Sequence, residues 1–428
     1  MDDPHRVSPS SGLPRARAVI AADANGPLHL IAPYTSILDL VGLNRCLARD
    51  LRVTPARATD AVSAIPGFYA HASVVDESLF EHEAVALDTD RPDEVVTVDA
   101  DEIRSMVPPA QRMGFALPAD AEADRPAREQ DRTAIHDCLT RFTPLRIRAR
   151  LDETLTIPPL PEAARRIIAL KADPDWDLGD VTRVIEADPS LAALTLGWAN
   201  SAYYGVRQRV TSLPDAISRV LGPEATLNMA LAIATRETLR VPPAVVRGLS
   251  PYWLTALFSA ATMEALARIY PIAERPNTGL AYLTGLLCNF GTLVIGHVFP
   301  PHYAAICRQH EANLHLPHTG IDVHMLGIPR EAFAAELLAC WSVPEEVCHA
   351  VRYQHVSGRD GAYDAFVGLL QLTHQLLNAR GIATTAHRRA EEDLGVRLKL
   401  DREAVDGVVQ LIATSADELD GFARAIAC

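Results

Sequence analysis

Aromatic residues are scarce in this chain, at 6% of 428 positions, and no run of 18 uninterrupted apolar residues occurs. The first shortage argues against a large aromatic-rich sheet core and favours helices packed through Ala and Leu. The second leaves no obvious membrane span, since a helix needs about 20 apolar residues to cross the hydrocarbon. The apolar run around residues 228–235 is short and bounded by charge and proline, so it reads as a buried helix. The stretch Met1-Asp2-Asp3-Pro4 is acidic with no apolar run behind it, which does not read as a secretory signal.

The cysteines are Cys46, Cys138, Cys288, Cys307, Cys340, Cys348 and Cys428, with no CxxC pair and no regular spacing. Such scatter gives no disulfide framework and reads mostly as buried thiols in a reducing compartment, which places the chain in the cytosol. Also absent are a Walker A loop, a GxGxxG turn after a strand, a GxSxG elbow and an HExxH helix. Basic residues are outnumbered, 40 against 54 acidic, for a net charge of −14. Residues 1–125 hold 20 acidic and 11 basic groups, and the remainder hold 34 and 29. Neither part is built to attract a phosphate backbone, so nucleic acid is a poor partner.

What is present is an apolar fraction of 48% with 22% charged residues, enough for two or three packed cores at this length. Composition divides the chain. Residues 1–13 form a polar, Pro/Ser-containing tail, and 116–149 hold an Ala/Pro/Asp/Glu linker and a connecting helix striped by Ile135, Cys138, Leu139 and Phe142. Between them, 14–115 alternate short β-prone pieces and helices. A hairpin turn is expected at Asp23-Ala24-Asn25-Gly26, a helix over 36–48, strands over 70–75 and 94–98, and a last helix over 99–106. This is an α+β pattern.

The piece Val74-Val75-Asp76-Glu77-Ser78-Leu79, with the element order before it, resembles the YbaK-like domain associated with editing of mischarged transfer RNA. That resemblance implies a site built on a lysine at the start of the first matching strand. Here the place reads Arg15-Ala16-Arg17-Ala18-Val19, and arginine holds an anion but does not readily exchange a proton. The glycine-rich loop is reduced to Ile65-Pro66-Gly67-Phe68. Arg17, Asp76 and Glu77 are therefore candidate remnants of a site, and strand-end carboxylates serve more often as loop anchors.

Residues 150–428 read as all-helical. Pro161-Glu162 opens a helix carrying Ala164, Ile167, Ile168 and Leu170. Asp177 opens another, and Asp188-Pro189-Ser190 caps a third that ends at Asn200-Ser201-Ala202-Tyr203-Tyr204. Val210-Thr211-Ser212-Leu213, Ala216-Ile217 and Val220-Leu221-Gly222 follow. This ordered set over 157–221 resembles the HDOD family, the regulatory relatives of HD-domain phosphohydrolases. Asn200 and Ser201 either close a helix end or line a secondary cleft.

A second block over 252–355 continues the resemblance through Trp341-Ser342-Val343-Pro344. Catalytic relatives carry a His-Asp pair in an apolar-apolar-His-Asp-apolar-Gly pattern. Here it reads Leu286-Leu287-Cys288-Asn289-Phe290-Gly291, where Gly285 and Gly291 allow close helix approach. Arg330 and Gln354 stand where histidines are expected, with His355 retained beside the latter. The Asp-to-Asn replacement removes an anion, and Arg330 adds a permanent cation that repels a metal. His349, His355, Cys340 and Cys348 match no closed zinc motif.

The fold expected is multidomain: a YbaK-like α+β domain, then an all-α, degenerate HD-type HDOD domain. The function expected is regulatory and non-catalytic, with a vestigial cleft at Cys288, Asn289, Arg330, Gln354 and His355. No metal or other cofactor is expected, and no membrane. The partner expected is a protein or a small anionic ligand. The alternatives are a metal-dependent phosphohydrolase, an aminoacyl-tRNA deacylase, and a purely structural interaction protein.

Overall fold

The alternation of apolar residues before and after Asp23-Ala24-Asn25-Gly26 produces a long antiparallel hairpin. Strand β2 (Arg15–Asp23) pairs with β3 (Gly26–Pro33) from Asp23↔Gly26 out to Ala16↔Pro33. Gly26 takes φ of 101°, a region costly for any residue with a Cβ, and Asn25 N–H donates to Asp23 Oδ1 at 2.8 Å to fix the turn. A computed structural model describes residues 6–7, 12–54, 73–88, 95–119, 130–131, 133–138, 161–173, 175–200, 206, 208–238, 250–356, 363–382 and 394–427.

The other strands are β1 (Arg6–Val7), β4 (Ser36–Leu38), β5 (Arg52–Val53), β6 (Ser73–Asp76), β7 (Ala84–Asp88), β8 (Val95–Asp99), β9 (Arg112–Met113) and β10 (Ala116–Pro118). They join in the order β1-β8-β7-β2-β3-β6-β9, with β5 on β2 and a separate β10–β4 pair. Side chains alternate across the sheet, so neighbouring residues feed different cores. Ile31 and Val75 enter one cluster with Val85, Leu87 and Val98, while Leu30 and Val74 enter the other with Leu28, Leu40 and Phe115.

The 36–48 segment is not one helix. Ser36–Leu38 pairs with β10, and Asp39 then caps α1 (Leu40–Leu47) by accepting from Gly42 N–H. The short side chain of Asp39 fixes that boundary, which apolar spacing alone does not mark. Helix α2 (Ala100–Met106) starts from the Asp99 cap, close to its expected place.

The remaining helices are α3 (residues 130–138, of which 132 is not described), α4 (Glu162–Ala172), α5 (Leu178–Glu186), α6 (Pro189–Ala199), α7 (Leu213–Asp215), α8 (Pro223–Thr238), α9 (Tyr252–Ile269), α10 (Thr278–Leu287), α11 (Phe290–Val298), α12 (Pro300–Ala312), α13 (His318–Leu326), α14 (Arg330–Cys340), α15 (Glu345–Tyr353), α16 (Asp364–Asn378), α17 (Leu394–Arg397), α18 (Arg402–Thr414) and α19 (Ala416–Ala427). The caps read from sequence are in place: Asp177 and Asp180 form a capping box on α5, and Asp188 with Pro189 starts α6. The segment Thr278–Val298 has the length and hydropathy of a membrane span, but 83% of that window is buried inside the protein. It forms core helices.

Two compact units result. One holds Met1–Glu122 together with Ala304–Met325, and the other holds most of the chain after Glu122 outside that excursion. The excursion belongs to the first unit for a polar reason. Gln309 Nε2 donates to Leu38 O at 2.6 Å, Asn313 Oδ1 accepts from Leu38 N–H at 2.8 Å, and Ala312 joins the Leu30 core. Burying those backbone groups without partners would cost about 1–3 kcal/mol each. Apolar periodicity carries no sign of this arrangement, because the decisive residues are amides.

In the larger unit, α3 is anchored by a buried ion pair. Arg352, fully buried on α15, donates to Asp131 through Nε at 2.6 Å and Nη2 at 3.0 Å. Removing Asp131 takes two acceptors from a guanidinium held in a dry interior. Asp131→Ala should therefore cost about 3–5 kcal/mol in denaturant unfolding, with much of the loss recovered when Arg352→Met is added.

Lys171 on α4 is also buried, its ammonium donating to Asn228 Oδ1 and lying 4.7 Å from the Tyr282 ring centre. Burial lowers its pKa from 10.5 to about 8, opposed by the Glu264 and Glu224 charges. Between those two values the unfolded chain binds more protons than the folded one, so this group makes stability rise with pH across that window. Lys171→Met should flatten that slope, measured as the wild-type-minus-variant difference in unfolding free energy against pH.

Candidate functional site

Helix α10 stops at Leu287 and α11 starts at Phe290, so Cys288 and Asn289 form the joint between two core helices. The glycines on either side are needed for packing. A Cβ on Gly285 would sit 2.4 Å from Ser259 O on α9, and one on Gly291 would sit 2.5 Å from Arg330 O on α14. Both are contacts that real side chains do not make. The joint is thereby pressed between α9 and the first turn of α14.

Cys288 is 2% exposed, and burial pushes its thiol up to about 12, with the nearby Ser259 hydroxyl and backbone N–H groups opposing weakly. It holds its proton at neutral pH. Asn289 Nδ2 donates to Thr255 Oγ1 at 3.4 Å. Gln354, 2% exposed, donates through Nε2 to Cys288 O at 2.9 Å and to Val351 O at 3.0 Å. Its remaining Oε1 accepts from His374 Nε2 at 2.9 Å, which assigns the ring proton to that nitrogen. His374 stacks on His355 with ring centres 5.9 Å apart, and His355 Nε2 lies 3.5 Å from Glu331 Oε1. Arg330 opens α14 beyond the positive-φ residue Gly327, and its Nη1 donates to Thr292 Oγ1 at 3.1 Å.

The structure thus links Cys288, Gln354 and His355 through one polar chain, and sets Asn289 and Arg330 at the flanking helix starts. Cys288 and Gln354 lie in the interior. Asn200 stands apart: it donates to Leu196 O and Val210 O at 2.8 Å each and accepts from Val210 N–H, closing the end of α6. Ser201 lies outside the described residues, as do Ile65–Phe68 of the reduced loop.

In the N-terminal unit, Asp76 is spent on structure. It accepts from Ser78 N–H and Oγ through one oxygen, and from Phe115 and Ala116 N–H at 2.7 and 2.6 Å through the other. Glu77 is exposed in the short turn that follows. Arg17 donates to Ala312 O and to Asn313 Oδ1, each at 2.7 Å.

Sequence reasoning missed Glu331, His374, Thr255, Ser259 and Thr292. Glu331 matters most, since it returns a carboxylate, 3% exposed, to a region counted as having lost its anion. Its signal was its place directly after Arg330. His374 was one polar residue in the Leu-rich face of α16, and only the fold pairs it with Gln354.

A hydrolytic metal centre of the HD type does not fit the residues present. At the paired-ligand position stand a protonated, desolvated thiol and a neutral amide, and a guanidinium stands where an imidazole is expected.

Comparison with known proteins bears on the family of the helical region. The HDOD domain model matches residues 157–357. A crystal structure from Marinobacter aquaeolei VT8, described as a candidate signal transduction protein, is 37% identical over 99% of this chain and 97% of its own, with a TM-score of 0.88. An HDOD domain protein of Geobacter sulfurreducens is 19% identical over 68% of this chain and 98% of its own, with a TM-score of 0.48. A curated protein of Treponema pallidum (strain Nichols), uncharacterised, is 25% identical over 207 residues, covering 48% of this chain and 38% of that relative's length. The chain belongs to the HDOD family.

The burial differences generate a thiol test. Cys46 and Cys340 are exposed and Cys288 is buried with its proton held. A maleimide added to the native protein should label Cys46 and Cys340 first, and Cys288 only on unfolding, as read by peptide mass spectrometry. Early labelling of Cys288 would mean an open, thiolate-bearing site.

Proposed function

We propose that this protein is a non-catalytic regulator that acts by binding, through its HDOD region, a protein partner or a small anionic ligand. The observation that carries the reading is the conversion of the metal-ligand positions into a hydrogen-bonded interior. Gln354 ties α15 to the carbonyl of Cys288 and to His374 of α16, which stabilises the packing of helices and leaves no displaceable ligand there. Arg330, half-buried at the first turn of α14, is the recognition cation in this scheme. The Marinobacter relative's description as a candidate for signal transduction supports the same class of role.

The YbaK-like reading of the N-terminal unit rests on the Val74–Leu79 motif. Within it, Arg17 and Asp76 hold the fold together, which favours a binding role over deacylation. The division into a tail, an α+β domain, a linker with its helix and a helical domain is proposed in outline only, since Arg6–Val7 pairs with β8, Ala116–Pro118 pairs with β4 and Ala304–Met325 falls in the first unit. A cytosolic setting rests on the scattered thiols and stands as part of the proposal.

Phosphohydrolysis is the second reading, and the Glu331–His355 pair is what favours it. Hydrolysis of bis(p-nitrophenyl) phosphate, assayed with added manganese, iron or zinc, separates the two. The expected rate is that of buffer with metal alone. A metal-dependent rate abolished by Glu331→Gln, with folding retained, would overturn the regulatory reading.

A further inference from the structure

We propose that Arg15, Arg17, Tyr34 and His315 form a binding site for a small phosphate-class oxyanion in the N-terminal unit. It is separate from the HDOD region, and failure of the regulatory reading there would leave it standing.

The site is built by register. Arg15 and Arg17 are two apart on β2 and share a face of the sheet. Parallel pairing sets Arg15 against Ala86 and Ala16 against Leu87, which brings Asp88 beside the arginines. Arg15 Nε donates to Asp88 Oδ1 at 2.5 Å, and its guanidinium carbon lies 4.3 Å from the centre of the Tyr34 ring. His315 packs edge-on against the other side of this group, 4.9 Å from the Tyr34 ring centre, with Nε2 bonded to Tyr34 O at 2.7 Å. Two fixed cations are thus gathered around one carboxylate, in a chain whose net charge is −14.

A second observation points to a ligand. Arg17 is 8% exposed, and while its Nη atoms are bonded to Ala312 and Asn313, its buried Nε has no hydrogen-bond partner among the described residues. An N–H left that way is costly, and an oxyanion is the acceptor that would relieve it. The site opens to solvent through Arg15, whose side chain is 38% exposed.

The charges facing His315 give the site a signature. Burial first, and then the charges of Arg17 and Arg15, lower the His315 pKa to about 3, while its bond to Tyr34 O opposes them. Asp88, itself pushed upward by burial, is the acid of the group. An oxyanion cancels the arginine charge and lets His315 take a proton on Nδ1. Binding therefore raises the His315 pKa, and a proton is taken up only where the pH lies between its free and bound values.

The test is NMR titration of the histidine resonances of the full chain with inorganic phosphate and, side by side, a phosphomonoester, with His315→Gln assigning the signal. Saturation by either supports the site, and the tighter of the two identifies its source as free anion or esterified phosphate. The His315 pKa should rise by about one unit or more on saturation. Arg15→Ala should weaken binding about tenfold or more while Arg15→Lys weakens it less, both with unchanged circular dichroism. A His315 response that never saturates, that chloride reproduces at equal ionic strength, or that survives Arg15→Ala unchanged would overturn the proposal.

Discussion

Close approach of backbones at Gly285 and Gly291 is the constraint on which the helical unit depends. With Ser259 O and Arg330 O so near the two α-carbons, the α10–α11 joint has no freedom to swing. Several polar groups near the joint are satisfied from neighbouring helices. Gln354 and His374 do this for the Cys288 carbonyl side, Thr255 for Asn289, and Thr292 for Arg330. Amide and imidazole hydrogen bonds tie α15 and α16 to the joint here, and such bonds strengthen one another in a dry interior.

The same economy of polar anchors governs the other unit. Asp76 holds the strand end, the following turn and the Phe115–Ala116 backbone with two oxygens. Gln309 and Asn313 hold Leu38 from a segment nearly three hundred positions away in sequence. In both units single side chains with several bonds fix the long-range geometry, while apolar clusters fill the space between them.

This division explains what the sequence made legible. The Asp23–Gly26 hairpin, the Asp177 and Asp188 caps and the close-packing glycines obey short-range rules, so they could be read from the chain. The α+β region followed by an all-helical region was legible in outline for the same reason, while the HDOD family was legible only through the resemblance of its ordered motifs. The Ser36–Leu38 strand was not, because its partner is β10, some eighty residues on. Nor was the burial of Cys288 and Gln354, which depends on α9, α15 and α16 meeting at one joint. Glu331 was overlooked because a carboxylate beside an arginine usually marks a solvated helix start, and here the fold turns it inward.

The placement of Ala304–Met325 has an evolutionary consequence. A unit made of one contiguous stretch can be copied, fused or exchanged as a single piece of gene. This N-terminal unit cannot, because Gln309, Ala312, Asn313 and His315 are encoded inside the span matched to the HDOD domain. A recombination event that carried off residues 1–122 alone would leave the Leu38 backbone and the Arg17 guanidinium without their partners. The two regions are therefore bound to be inherited together.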